Sequence, residues 1–213
     1  MSLDNMADTL EGLESLISRK IEGIHTCMPG EILSFDAGTC LASVKATLQF
    51  HAADGRIFDY PVISGVPVFM PHAGNAQITY PVKAGDGCLI VFSERSIDEW
   101  IGKGSIDNHD PRQYDLTDAF CFVGMRPAQN ISAENVELIN GGTLVSVTPS
   151  NTVNIIGNVN IKGNVNVQGN YTCSGTSRMS GNITCDGDVT ASGTSLHGHT
   201  HSCPHGGSTS APN

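Results

Sequence analysis

Glycine returns at every sixth position near the carboxy-terminal end, at Gly157, Gly163, Gly169, Gly175, Gly181, Gly187 and Gly193. Between these glycines the odd-numbered positions hold Val159, Ile161, Val165, Val167, Tyr171, Cys173, Met179, Ile183, Cys185, Val189 and Ala191, with Ser177 and Ser195 as polar exceptions. The even-numbered positions from Asn158 to Thr194 are polar or charged throughout. Alternation with period two marks an extended strand with one dry face and one wet face. The superimposed period of six marks points where the strand bends or another backbone approaches closely, because glycine carries no Cβ. The pattern predicts a β-solenoid. Two other patterns precede it. Residues 8–24 carry Leu10, Leu13, Leu16, Ile17, Ile21 and Ile24 on one helical face, which predicts an amphipathic helix, either a cap over a barrel end or part of a trimer contact. Residues 30–127 contain short apolar segments at 31–35, 41–50, 57–63, 66–70, 87–93 and 119–125, separated by turn residues. Such spacing suits a small Greek-key barrel of the OB type.

Seven hexads span only 42 residues. A single-chain coil of hexapeptides uses about three hexads per turn, so this array would complete little more than two coils, whereas repeat arrays need about three or more units to bury a continuous core. A single-chain coil also has corners, where strict alternation breaks, and here the alternation continues without a break. The sequence therefore predicts three chains wound about a common axis, an intertwined homotrimer. Each buried Val or Ile would then contribute about 1.5–3 kcal/mol per chain. An isolated chain would expose the whole apolar row, so folding and trimerisation are expected to be inseparable. The expected fold class is all-β. An amino-terminal helix (1–28) leads into an OB-fold base (29–127), a linker (128–142), the trimeric β-helix (143–198) and an apex cap (199–213).

The inward parity continues past Gly193 into Ser195, His197, His199, His201, Cys203 and His205. Imidazoles spaced i, i+2 on a strand point the same way, so His199 and His201 present a pair to the core side. Three chains then offer six nitrogens. Six imidazoles suit an octahedral first-row ion such as Fe(II), Ni(II) or Co(II), while structural zinc takes four ligands. His197 shares the parity, which leaves His197 with His199 as the competing pair. Cys203 is a less suitable ligand, because a soft sulfur favours zinc. A six-ligand site is closed and has no position at which to activate water, so it is structural rather than catalytic. The run 202–209 is rich in turn residues and can fold back over the end of the needle.

The glycine-punctuated alternating repeat, the His199-Thr200-His201 motif, the following Gly206-Gly207-Ser208-Thr209 and the end at Asn213 resemble the central spike proteins of contractile-tailed bacteriophages and R-type pyocins. That resemblance implies a trimeric β-helix whose iron-binding apex tips the tail baseplate and pierces the host outer membrane. It further implies an OB domain at the base docked on a baseplate hub protein, and one Fe2+ per trimer held by His199 and His201 of each chain. The segment 82–91 followed by Asp98-Glu99-Trp100 resembles a recurring turn, central strand and acidic exit of that base domain. Some spikes of this kind insert a lysozyme domain between barrel and needle, and residues 128–142 are too few to hold one.

Charge sharpens the division of the chain. Of 11 basic and 21 acidic residues, only Lys162, Arg178, Asp186 and Asp188 follow Gly142, so the net charge of −10 resides entirely before it. Without a basic stripe to release counterions from phosphate, a nucleic-acid partner is not expected. A neutral needle also has no polybasic attraction to anionic lipid, so crossing an envelope would depend on force and shape. Seven cysteines at irregular spacing argue against a disulfide framework, and reduced thiols, with no signal segment, agree with assembly in the bacterial cytoplasm. No nucleophile elbow, zincin, P-loop or Cys-x-x-Cys pattern occurs, and no enzymatic activity is expected. Residues 102–116, with Asp107, His109, Asp110, Arg112 and Asp115, are the one stretch able to build an acid–base or metal site, against the plainer reading of a polar loop. The alternatives from other classes are a hexapeptide-repeat transferase with a histidine base, which requires a single-chain coil, and a receptor-binding tail or secretion tip.

Overall fold

The computed structural model describes residues 3–52, 54–104, 109–125, 131–202 and 204–210. Asp107, Cys203 and Asn213 lie outside the described residues. The described chain is mostly β with few helices, and it divides into two compact units, Met1–Glu134 and Asn135–Asn213.

The first unit opens with helix α1 (Leu3–Glu22) and continues through β1 (Cys27–Asp36), β2 (Leu41–Ala46), β3 (Gln49–His51), β4 (Ile57–Asp59), β5 (Ile63–Pro67), β6 (His72–Ala73), β7 (Ala76–Gln77), β8 (Gly87–Phe92), α2 (Asp98–Lys103) and β9 (Ala119–Val123). Five of these strands form one curled antiparallel sheet in the order β5-β2-β1-β8-β9. Its two outer strands approach each other at a parallel bridge between Val68 and Cys121, fixed by the Phe69 N–H donating to the Cys121 carbonyl at 2.8 Å. Alternation supplies the core. Every second residue of β2 and β8 is buried, and Ile32, Val44, Ile90, Cys88 and Cys121 are fully enclosed. Packing is tight enough to require glycine at position 30, where a Cβ would lie 2.5 Å from the Ile90 Cδ1 and 3.0 Å from the Lys45 carbonyl. The apolar segment 57–63 holds β4 and, past Pro61, the first residue of β5, which runs on to Pro67; the proline ring removes a ladder donor between them.

The second unit contains an antiparallel meander of β10 (Val136–Asn140), β11 (Thr143–Val147) and β12 (Val153–Ile156), and later a small hairpin of β13 (Thr190–Ala191) and β14 (Thr194–Ser195). The segment expected as a linker, 128–142, therefore includes a paired strand. Gly141 and Gly142 sit between Asn140 and Thr143, which pair directly, and Gly141 has φ +59°. This is the two-residue hairpin turn that glycine pairs favour, not a domain boundary.

Candidate functional site

Beyond β12 the hexad repeat forms no ladder with its own chain. None of the paired strands includes residues 157–189, and every residue from 149 to 194 is exposed. The apolar row predicted to face a dry core is open to solvent in one chain, with Ile161 at 62%, Val165 at 64% and Ile183 at 67% exposure. Gly163 and Gly169 adopt φ of +145° and +146°, and no atom of the chain lies within 4 Å of where their Cβ would be. Backbone conformation therefore selects glycine there, because L side chains disfavour this region. Crowding within the chain plays no part. The single-chain coil that a hexapeptide-repeat transferase requires is not formed by these residues.

At the far end the chain folds sharply and gathers its histidines. The β13–β14 hairpin returns the strand, and Asp188 ties the next turn. Its carboxylate accepts from the Ser195 hydroxyl and from the His197 N–H at 3.2 Å, bonds that hold its pKa below the usual aspartate value. The Ser195 Oγ also accepts from the Gly198 N–H at 2.7 Å. This turn carries His199, whose Nδ1 lies 3.2 Å from the Ser195 carbonyl and 3.1 Å from that of Leu196. Carbonyl oxygens only accept, so the ring proton resides on Nδ1 and Nε2 is left as the basic nitrogen. A ring N–H anchored to a backbone carbonyl is the usual support of a metal-binding imidazole. The His201 ring lies 5.0 Å from that of His199, edge to face at 86°. Thr209 then folds back over the pair, its N–H donating to the His201 carbonyl at 2.9 Å and its Oγ1 accepting from the His201 N–H at 3.0 Å, with Ser202 and Ser208 bridged antiparallel. The structure thus places His199 and His201 side by side. His197 lies in the preceding turn, held through its backbone by Asp188.

The chemistry of the donors suits a first-row ion. Two imidazoles per chain, one with its tautomer fixed, leave a single chain short of a coordination shell. Among the described residues no three His, Cys, Asp or Glu side chains of one chain gather around a point.

Within 102–116, Asp110 and Arg112 enter an ion-pair cluster. Arg112 donates through Nε to Asp110 Oδ2 at 2.8 Å, through Nη1 to Thr117 Oγ1 at 2.9 Å, and through Nη2 to Ser96 Oγ at 2.8 Å and to Asp98. The fully buried Asp118 lies 3.7 Å from the same guanidinium and accepts the Ile97 N–H at 3.0 Å. One cation surrounded by three carboxylates is a clamp joining α2 to the approach of β9. Sequence reading missed it, because its members span residues 96–118 and only the fold brings them together. It also missed an apolar groove lined by Phe69, Trp100, Phe120 and Phe122. There Phe69 stacks on Phe122 at 5.0 Å and Trp100 meets Phe120 edge-on at 5.5 Å.

Residues 28–124 match the family model of the Phage protein Gp138 N-terminal domain. The match supports a phage structural protein with a tail- or baseplate-related role, carried in the virion. It spans the curled sheet from β1 through β9 and stops short of the repeat and the histidine tip. No curated protein matches the chain.

Proposed function

We propose that the chain is the central spike of a contractile phage tail, a homotrimer whose needle is driven through the host outer membrane when the sheath contracts. The observation that carries this reading is the stretch 157–189, alternating in sequence with Ser177 as its one polar exception, yet unpaired and uncovered within its own chain. Its backbone groups and apolar row both need partners. Two further copies supply both, with ladders between chains and a shared dry axis. The base supports the reading too. Its strand order, with the parallel approach of β5 and β9, supports a five-stranded Greek-key barrel of the OB type, and the exposed aromatic groove beside Trp100 is the face we propose for the baseplate hub.

The needle's function is mechanical. Interlocked strands resist bending because many backbone ladders must break together, and the polar even-numbered face keeps a long β surface soluble. At the tip, where fraying is easiest, His199 and His201 of each chain would hold an iron ion that supplies a coordinate cross-link between the chains. Asp188 and Ser195 hold the turn that carries His199, and Thr209 closes over His201. Antibodies against residues 157–202 should label the distal end of the tail in virions of the encoding phage. Labelling of the capsid or sheath alone, or particles lacking the protein, would overturn the assignment.

A further inference from the structure

Helix α1 has no place in the core of its own unit. Among the described side chains that core lies on the strands or next to them, with no member between Asp8 and Glu22. Leu10, Leu13, Leu16, Ile17 and Ile21 are 50–62% exposed, and Ile24 just past the helix is 47% exposed. In proteins most of a helix's stability comes from packing its amphipathic face, and contiguous exposed apolar surface marks an interaction site. The spacing indicates what covers it. Leu3, Met6, Leu10, Leu13 and Ile17 follow one another at intervals of three, four, three and four, and Ile24 lies one heptad beyond Ile17. Lys20 takes the intervening position, with Ile21 beside it restoring the stripe. The opposite face carries Asp4, Asp8, Glu11, Ser15, Ser18 and Glu22. A sustained 3.5-residue apolar repeat with a polar back is the pattern of helices that supercoil about one another. A helix lying on a barrel requires only an apolar patch.

We infer that the three α1 helices of the spike pack on each other as a parallel coiled coil at the amino-terminal end, so that the trimer is clasped at both ends of the chain. The inference rests on the trimer proposed above. The needle holds three copies of α1 in one particle and so raises their local concentration enough for a short coil to form. The occupant of the helix face is thus the same face of the two neighbouring chains.

The test is photo-cross-linking of the full-length protein, with Leu13 or, separately, Ile17 replaced by benzoylphenylalanine and Glu11 replaced likewise as the outer-face control. Each sample is first weighed by sedimentation. The expected result is a three-chain particle in which Leu13 and Ile17 give adducts of twice the chain mass, mapping α1 to α1, with loss of those adducts at Glu11. A three-chain particle whose Leu13 and Ile17 adducts map to the β-sheet of either the same or a neighbouring chain overturns the coiled coil and leaves the trimer standing. So does a three-chain particle with no adduct at all. A one-chain particle overturns the trimer, and the coiled coil with it.

Discussion

At the level of single residues, the tip shows how far parity alone can reach. Counting in twos from Val159 puts His199 and His201 on the same side; the β13–β14 hairpin and the turn after it interrupt that count, and the two rings lie 5.0 Å apart. What counting cannot give is the tautomer, which comes from the turn held by Asp188 and Ser195, or the return of Thr209 over His201. The clamp around Arg112 was similarly hidden, since Asp98 and Asp118 are 20 positions apart and meet only because α2 and β9 pack together. The paired variant His199→Ala with His201→Ala tests the tip. It should remain trimeric by sedimentation, because the apolar row is untouched, while losing its metal on elemental analysis. Its melting should also fall. An ion present at about 100 times its dissociation constant contributes about 2.7 kcal/mol that this variant gives up. A variant that no longer trimerises would show instead that the site nucleates assembly.

At the level of elements, the strands were legible wherever alternation was clean and illegible where turn chemistry decided. β2 and β8 follow from their apolar runs, whose residues alternate between buried and half-buried. The ends of β4 and β5 do not coincide with the apolar segments 57–63 and 66–70, because Pro61 interrupts the ladder between them, and β10 lies within the segment expected as a linker because Gly141-Gly142 is a hairpin turn. Gly30 is a further case, since its necessity comes from Ile90 across the sheet. The variant Gly30→Ala forces a methyl group against that side chain and the Lys45 carbonyl, and should destabilise the base by about 1–3 kcal/mol. Trp100 is the sole tryptophan and lies in the base unit, so thermal unfolding followed by its fluorescence reports on that unit alone. An unchanged midpoint would mean that Ile90 moves aside freely and that the packing is looser than the geometry shows.

For the whole molecule, the sequence indicated its architecture through what a single chain cannot complete. Both ends carry apolar surface that the fold of one chain leaves open, the α1 stripe at one and the hexad row at the other. The curled sheet of the first unit encloses its own core and is the part that matches a phage protein domain. Sequence pattern could show that the hexad row wants a dry face but not the aromatic groove proposed to meet a partner, because Phe69, Trp100 and Phe122 come together only through the approach of β5 and β9. Native mass spectrometry of untagged protein purified without added metal tests the central claim most directly. The account predicts a particle of three chains carrying one iron ion, with no appreciable single chain, whereas a stable single-chain species, with or without a metal of its own, would contradict it.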